Sequence, residues 1–375
     1  MQHVGDKDYL RPIIISPALP NGVTFLTNIL LELEVPIYSY YFNLFWRREK
    51  GRLFSRPYTQ EIFHQMMPSF TAQKRLEGTS QISMEHQHDW PLLNFKDRKV
   101  ILFVRDGRDG IYSSYKRFHK DISFDDYLKK PIPPFNLPHK LNWGLFHLLW
   151  MEFLSLYCEY IVVRFEDIKR DSIAETDKVL SFLNVSRTQE QISNAIDNSS
   201  VDKARKVEEN ISNNKGPSYI RKGKVYEWKE SWSTENLKNL PYTFLKVSGI
   251  LDYEGISDEQ RPLVKEEAPF SSNECVRLAD CWFSELYPRG FRNTAEGEKL
   301  YNTILEFINM EPALRHPGVK SLIDQKSIIN SDPDEHNMEY QMRRVLKYYK
   351  VRSIRKPLFY LKYTLMNTLR FFHQP

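Results

Sequence analysis

The stretch Lys99-Val100-Ile101-Leu102-Phe103-Val104-Arg105-Asp106-Gly107-Arg108-Asp109-Gly110-Ile111 decides the fold. After its lysine it is apolar without a break, as a parallel strand covered on both faces must be, whereas a strand with one wet face alternates. It runs straight into a turn of Arg, Asp and Gly, and from Ile111 the pattern is helical. Working outward, the same order recurs. Upstream, Pro12-Ile13-Ile14-Ile15-Ser16 is a β-branched run and Pro17 to Gly22 is turn chemistry. Val23 to Glu34 then sets Leu26, Ile29, Leu30 and Leu33 on one helical face. Downstream, Tyr160-Ile161-Val162-Val163-Arg164-Phe165 precedes Glu166-Asp167 and a helical stretch from Ser172 to Leu183. Strands alternating with helices predict an α/β fold whose central parallel sheet is flanked by helices. Ligands of such sheets bind beyond the carboxyl ends of the strands, and all three ends here carry polar residues.

The 375 residues suffice for a sizeable core, and 41% hydrophobic against 27% charged residues excludes a mainly disordered chain. The net charge of +5 is unevenly spread. From Glu339 to Pro375 nine Lys/Arg face one acid, giving +8, so the preceding 338 residues carry −3. Three cysteines (Cys158, Cys275, Cys281) at unrelated spacings form neither a disulfide framework nor a zinc motif and predict a reducing compartment. The polar start and the shortness of the Ile13–Ile15 run predict no signal peptide, and no stretch reaches membrane-span length, so a cytoplasmic location is expected. From about Leu251 the texture turns helical with acidic patches, and Ser331 to Glu335 breaks it before the basic tail. The chain therefore divides into 1–250, a helical extension 251–338, and a tail 339–375.

The loop Pro17 to Thr24 reads two ways. It can cradle a phosphate on backbone N–H groups with the Thr24 hydroxyl, or be an ordinary strand-to-helix connection, and it lacks the Gly-Lys-[Ser/Thr] of a Walker loop. The second strand end is more specific: Arg105, then Ser113 eight residues later, sets a guanidinium and a hydroxyl where one phosphate bridges them. The alternative is a solvated charged turn. Within Ile82 to Pro91, His86 and His88 form a His-x-His pair that on a strand points to one side; as a metal site two ligands are too few, and no metal is expected.

The combination resembles the cytosolic-type sulfotransferases that use 3′-phosphoadenosine 5′-phosphosulfate (PAPS) and release 3′-phosphoadenosine 5′-phosphate (PAP). Four motifs carry the likeness, in order: Arg105 to Asp109 with Ser113; Phe165-Glu166-Asp167; Phe182-Leu183-Asn184-Val185; and Arg221-Lys222-Gly223 followed by Glu227-Trp228-Lys229. The resemblance implies a P-loop-like three-layer fold and, position by position, a cofactor site. Arg105, Ser113, Arg221, Lys222 and Gly223 would grip the 3′-phosphate. Asn21, Gly22 and Thr24 would form the first phosphate loop, and Phe25 and Phe165 would sandwich the adenine beside Ser199 and Val201. It also implies a His general base, at His86 or its neighbour His88.

One departure stands out. Where the family has a Lys two residues before the loop Gly, this chain has Pro20, and one loop Thr is Val23. Losing a transition-state cation costs on the order of a hundredfold in rate, so either another cation serves (Arg11, Arg47, Arg48 or Lys222), or the enzyme is slow, or the chain is a non-catalytic PAP/PAPS-binding relative. The acceptor is expected to be a hydroxyl of a carbohydrate, glycolipid or small alcohol, held by loops within Tyr38–Arg75 and Phe118–Trp143. In the tail, Leu358, Leu361, Leu365, Leu369 and Phe372 fall at helical spacing among cations. This predicts either peripheral membrane contact through residues 349–375 or packing on the domain, with no nucleic-acid motif.

Overall fold

A computed structural model describes residues 12–33, 35, 37–39, 84–119, 121–132, 134–203, 223–253, 271–288 and 290–315. Arg11, Arg47, Arg48, Arg221, Lys222 and the tail from residue 339 lie outside the described residues, as does nearly all of the acceptor loop expected over Tyr38–Arg75.

The elements follow in chain order. β1 (Ile13–Ile15), α1 (Val23–Glu32), β2 (Ile37–Ser39), β3 (Met84–Gln87) and β4 (Lys99–Val104) build the first half. They are followed by α2 (Gly107–Phe118), α3 (Phe124–Lys129), a two-residue ribbon of β5 (Pro131–Ile132) and β6 (Leu137–Pro138), and α4 (His139–Tyr157). Then come β7 (Glu159–Arg164), α5 (Phe165–Arg170), α6 (Ser172–Phe182), α7 (Gln189–Asn198), α8 (Trp228–Ser231), α9 (Thr234–Lys238) and α10 (Tyr242–Ile250), and finally α11 (Ser272–Leu286) and α12 (Ala295–Met310). The strands read from the sequence are present; the third begins and ends one residue earlier than expected, because Phe165 opens α5 rather than closing β7.

The main sheet has the order β2-β3-β1-β4-β7 and every pairing in it is parallel. Because strand residues alternate in direction, the apolar runs feed two separate cores. Ile13, Ile15, Val100, Leu102 and Val104 face a cluster with α2, α4, α10, α11 and α12. Ile14, Ile101, Phe103 and Val163 face a second cluster with α1, α5, α6 and α7. This is the three-layer α/β arrangement, and it explains why β1 and β4 carry no polar face. The chain passes from β3 to β4 across β1, so the strand order reverses around β1 and opens a crevice at the carboxyl ends of β1, β3 and β4.

α4 is the central helix of the larger core. Leu141, Trp143, Leu145, Phe146, Leu149, Trp150, Phe153 and Leu154 are buried along it, a nearly all-round apolar surface that only a helix covered on several sides tolerates. Part of the cover comes from beyond residue 251. Trp282 of α11 lies 5.0 Å from the Phe135 ring and 5.9 Å from Phe307 of α12. Glu311, fully buried after α12, anchors this extension. Its carboxylate accepts from Thr243 N–H (2.9 Å), Thr243 Oγ1–H (2.7 Å) and Ala313 N–H (3.2 Å). α10 starts on Pro241, which has no side chain to cap it, so Glu311 supplies the missing acceptor and a negative charge at the helix N-terminus. Replacing Glu311 by Ala strands those donors; at ~1.5–3 kcal/mol for a bond to a charged acceptor, the thermal midpoint should drop by several degrees. Glu311→Gln, which keeps one acceptor oxygen, should lose less. An unchanged midpoint in the alanine variant would show that the extension is not anchored there.

Candidate functional site

The turn after β4 is buried, which rules out the solvated charged turn. Arg105, Asp106, Arg108 and Asp109 are 5%, 0%, 1% and 1% exposed. Asp106 caps α2 by accepting from Arg108 N–H, and its carboxylate also takes the Arg108 guanidinium (Nη2 to Oδ2, 2.7 Å). The same guanidinium lies 3.5 Å over the Trp228 ring. Arg108 is therefore spent on structure. Asp109, in the first turn of α2, accepts from Tyr226 N–H at 2.7 Å and Trp228 N–H at 2.8 Å, with Arg105 at 3.7 Å. Burial pushes the Asp109 carboxyl above its ordinary range, and Arg105 opposes that push. Tyr226 sits in left-handed backbone (φ 60°), a conformation costing a non-glycine residue about 1 kcal/mol and sustained by that hydrogen bond.

Arg105 points at the crevice. It donates from Nη1 to the Pro20 carbonyl (3.1 Å) and from Nη2 to the Lys224 carbonyl (2.7 Å), and its guanidinium stands 4.7 Å from the Phe165 ring centroid. Its Nε is buried without a partner among the described residues. Behind it, Glu166 Oε1 accepts from Asp106 N–H, and burial lifts the Glu166 carboxyl to about 7. Burial, and then the Glu166 and Asp106 carboxyls, also hold the Tyr253 hydroxyl far above the usual phenol range.

The first loop closes on the same point. Gly22 ends it with φ 84°, and a Cβ there would stand 2.3 Å from the Phe165 ring, so both backbone and space demand glycine. Asn21 holds the loop shape, accepting from Val23 N–H and donating to the Pro17 carbonyl. Thr24 and Phe25 are half-buried in the first turn of α1, and Lys169 Nζ lies 5.0 Å over the Phe25 ring. Phe165 is 2% exposed. Ser113 is buried one helical face along α2. At the end of α7, Ser199 is buried and its Oγ has no partner among the described residues. The late loop meets that same end: a Cβ on Gly223 (φ 58°) would stand 2.9 Å from Val201 Cγ2.

The histidines stand on the other side of β1. Parallel register pairs Ile14 with His86 and Ile15 with Gln87, so the residue after β1, Ser16, falls between the two imidazoles. Ser16 Oγ is 3.1 Å from His86 Nε2 and 3.1 Å from His88 Nδ1, and the Ser16 carbonyl is 3.0 Å from His88 Nδ1. The rings meet edge to face at 4.6 Å. His86 is 8% exposed; burial first, and then His88, hold it well below the ordinary imidazole range.

A sulfotransferase domain model matches residues 32–246, more than half of the chain. The chain belongs to the sulfotransferase domain family. Sulfotransferase 6B1 of Danio rerio is 25% identical over 200 residues, 50% of this chain and 62% of that protein, so this chain spans less than two thirds of that relative's length. Among solved structures, mouse sulfotransferase SULT7A1 complexed with PAP aligns at 13% identity and TM-score 0.41, over 61% of this chain and 80% of that one. Retinol dehydratase in complex with androsterone and inactive cofactor PAP aligns at 18% identity and TM-score 0.41, over 67% and 84%.

In this sulfotransferase-family chain the expected site residues Gly22, Arg105 and Phe165 meet directly, with Pro20 and Lys224 on the Arg105 guanidinium, and Gly223 meets Val201. Three contributors were not legible in the sequence: Ser16, Asp109 and Glu166. Asp109 had a signal of a kind, since a carboxylate in the first turn of a helix that follows a strand end sits where loops converge. Replacing Asp109 by Asn gives the loop one acceptor and an unwanted donor in place of two acceptors. Hydrogen exchange at the Tyr226 and Trp228 amides should then quicken by about tenfold or more; unchanged protection there would show that the loop is held by other contacts.

Proposed function

We propose that this chain transfers a sulfuryl group from PAPS to a hydroxyl of an acceptor, a carbohydrate or glycolipid in first place. The acceptor oxygen bonds to sulfur as the bond from sulfur to the 5′-phosphate oxygen breaks, PAP leaves, and the hydroxyl proton passes to a histidine of the His86/His88 pair. The observation that carries this reading is the buried Arg105 guanidinium. It bridges the first loop and the late loop through carbonyls, with an unpartnered Nε, at the crevice where the strand order reverses. Two carbonyls are poor partners for a guanidinium compared with a phosphate, so a phosphate that replaces them gains charge-assisted bonds. The unpartnered buried Ser199 Oγ fits an adenine edge in the same way. Phe25 and Phe165 supply the aromatic contact, with Asn21, Gly22 and Thr24 on the first phosphate loop and Ser113, Arg221, Lys222 and Gly223 completing the grip on the 3′-phosphate. No metal takes part.

Pro20 favours a second reading, that of a PAP/PAPS-binding relative without turnover, because proline offers neither the ammonium nor an N–H at that point of the loop. Incubation with labelled PAPS and a panel of sugar, glycolipid and small alcohol acceptors, alongside PAP titration, separates the two. Labelled product supports transfer. Binding without product supports the second reading, and absence of both defeats both. Arg105→Ala should weaken PAP by about 2–3 kcal/mol, a loss of thirtyfold or more; unchanged affinity would remove Arg105 from the site.

No helix among the described residues is long and apolar enough to cross a membrane. For the basic amphipathic tail we propose peripheral contact with anionic lipid, which suits a glycolipid acceptor, each cation contributing about 1 kcal/mol near the surface. Removing residues 349–375 should abolish co-sedimentation with phosphatidylserine vesicles while PAP binding persists; unchanged sedimentation would refute the contact.

A further inference from the structure

Behind Arg105 lies a carboxyl that the phosphate grip leaves unused. Glu166 is 6% exposed and has one oxygen occupied: Oε1 accepts from Asp106 N–H at 3.1 Å, while Oε2 is buried and completes no hydrogen bond among the described residues. The Tyr253 hydroxyl, just past α10, lies beside that carboxyl and is equally buried and bare. A hydroxyl can donate to a carboxylate and accept from a carboxylic acid, so Tyr253 suits either form of Glu166. The charges that surround the pair are unequal. Arg108 is matched by Asp106, Arg105 faces Asp109 at 3.7 Å, and Arg164, 5.7 Å from the Tyr253 ring, is matched by Asp167 and Asp252. The first loop, Ser16 to Gly22, carries no charge, and Lys224 of the late loop is exposed. An ionised Glu166 is therefore a negative charge in excess beneath Arg105. Burial lifts the Glu166 carboxyl to about 7, against the opposing pull of the Asp106 N–H and Arg105, so it exchanges a proton near neutrality.

We propose that Glu166 is a positioning group that sets the charge beneath Arg105, taking up a proton on Oε2 when a phosphate dianion docks on the guanidinium and releasing it when the phosphate leaves. The proposal rests on the nucleotide-binding reading above and adds how the site accommodates the incoming charge. A phosphate brings like charge toward a carboxylate with little water around it, and like charge disfavours ionisation. The proton comes from solvent and turns carboxylate into carboxylic acid. Tyr253 changes from donor to acceptor, and the Arg105 guanidinium is left to the phosphate. The pH dependence follows. Below about pH 7 Glu166 already holds the proton and phosphate binds at full strength. As pH rises above that value each bound phosphate must first draw a proton, so affinity falls by up to about tenfold per pH unit.

Proton uptake is measurable without turnover. Calorimetric titration of PAP into the full chain at pH 8, in two buffers of different ionisation enthalpy, should show close to one proton (~1) taken up per PAP bound. The 3′-phosphate, with its second ionisation at about 6, is already a dianion there. Glu166→Gln keeps an oxygen for the Asp106 N–H and has no proton to exchange. Its uptake should fall to near zero, and at pH 9 it should bind PAP at least about tenfold tighter than the unaltered chain. His86 and His88, across β1, would leave any share of theirs in the variant. In the free chain, infrared difference spectra should show a protonated carboxyl at pH 6 that ionises by pH 9 and is missing from Glu166→Gln. PAP bound by the unaltered chain with no proton uptake, or with uptake equal to that of Glu166→Gln, overturns the proposal and leaves the nucleotide site standing. A Glu166 carboxyl already ionised at pH 6 also overturns it. PAP bound at no pH removes the nucleotide site and the proposal with it.

Discussion

The site depends on one buried carboxylate. Asp109 is almost fully enclosed, and a charge in that position costs several kcal/mol unless its lone pairs are filled. Two backbone N–H groups from residues 226 and 228 fill them, and the guanidinium of Arg105, 3.7 Å away, supplies the counter-charge. Satisfying Asp109 thus places the late loop, even to the point of holding Tyr226 in left-handed backbone. The loop in turn presents the Lys224 carbonyl to Arg105, and Arg105 reaches on to Pro20. Segments more than a hundred residues apart are joined through one acid and one guanidinium.

The parallel sheet sets where this can happen. With every strand of the main sheet running the same way, the chain leaves β1, β3, β4 and β7 at one edge, so the first loop, the histidines, the Arg105 turn and Phe165 emerge together. The reversal of strand order around β1 keeps two adjacent connections from covering the same ground. β1 divides the result by chemistry: cation and aromatic rings on the β4 and β7 side, imidazoles and the Ser16 hydroxyl on the β3 side. The sulfuryl transfer proposed above would use such a division, with donor phosphates on one flank and the proton acceptor on the other.

Asp106, Arg108 and Glu166 show how much of a charged motif can be framework. Arg108 is bidentate to Asp106 and stacked on Trp228; Asp106 N–H is held by Glu166. The extension beyond residue 251 is framework too, its Trp282 and Phe307 closing the core around α4 and its Glu311 capping α10.

Periodicity and run length placed β1, β4 and β7 with α1, α2 and α6 from the sequence alone, because a buried parallel strand favours an unbroken apolar run and a βα turn needs glycine, proline and short polar side chains; β2 and β3 carry no such run. They also marked Gly22, Arg105 and the His-x-His pair as chemistry at strand ends. Only the tertiary structure decided which of the charged residues work inward. Arg-Asp-Gly-Arg-Asp spells a surface turn and a buried ion network with the same letters, and burial depends on segments 226–228 and 166 folding over it. Phe165 left the expected strand for α5, where its ring packs over Gly22. Ser16 carried no signal because its partners are 70 and 72 residues away, and strand register, a long-range hydrogen-bonding choice, is what brings them within 3.1 Å. Local composition determines elements and the residue types at their ends; which of those ends share a hydrogen bond is a property of the packed sheet.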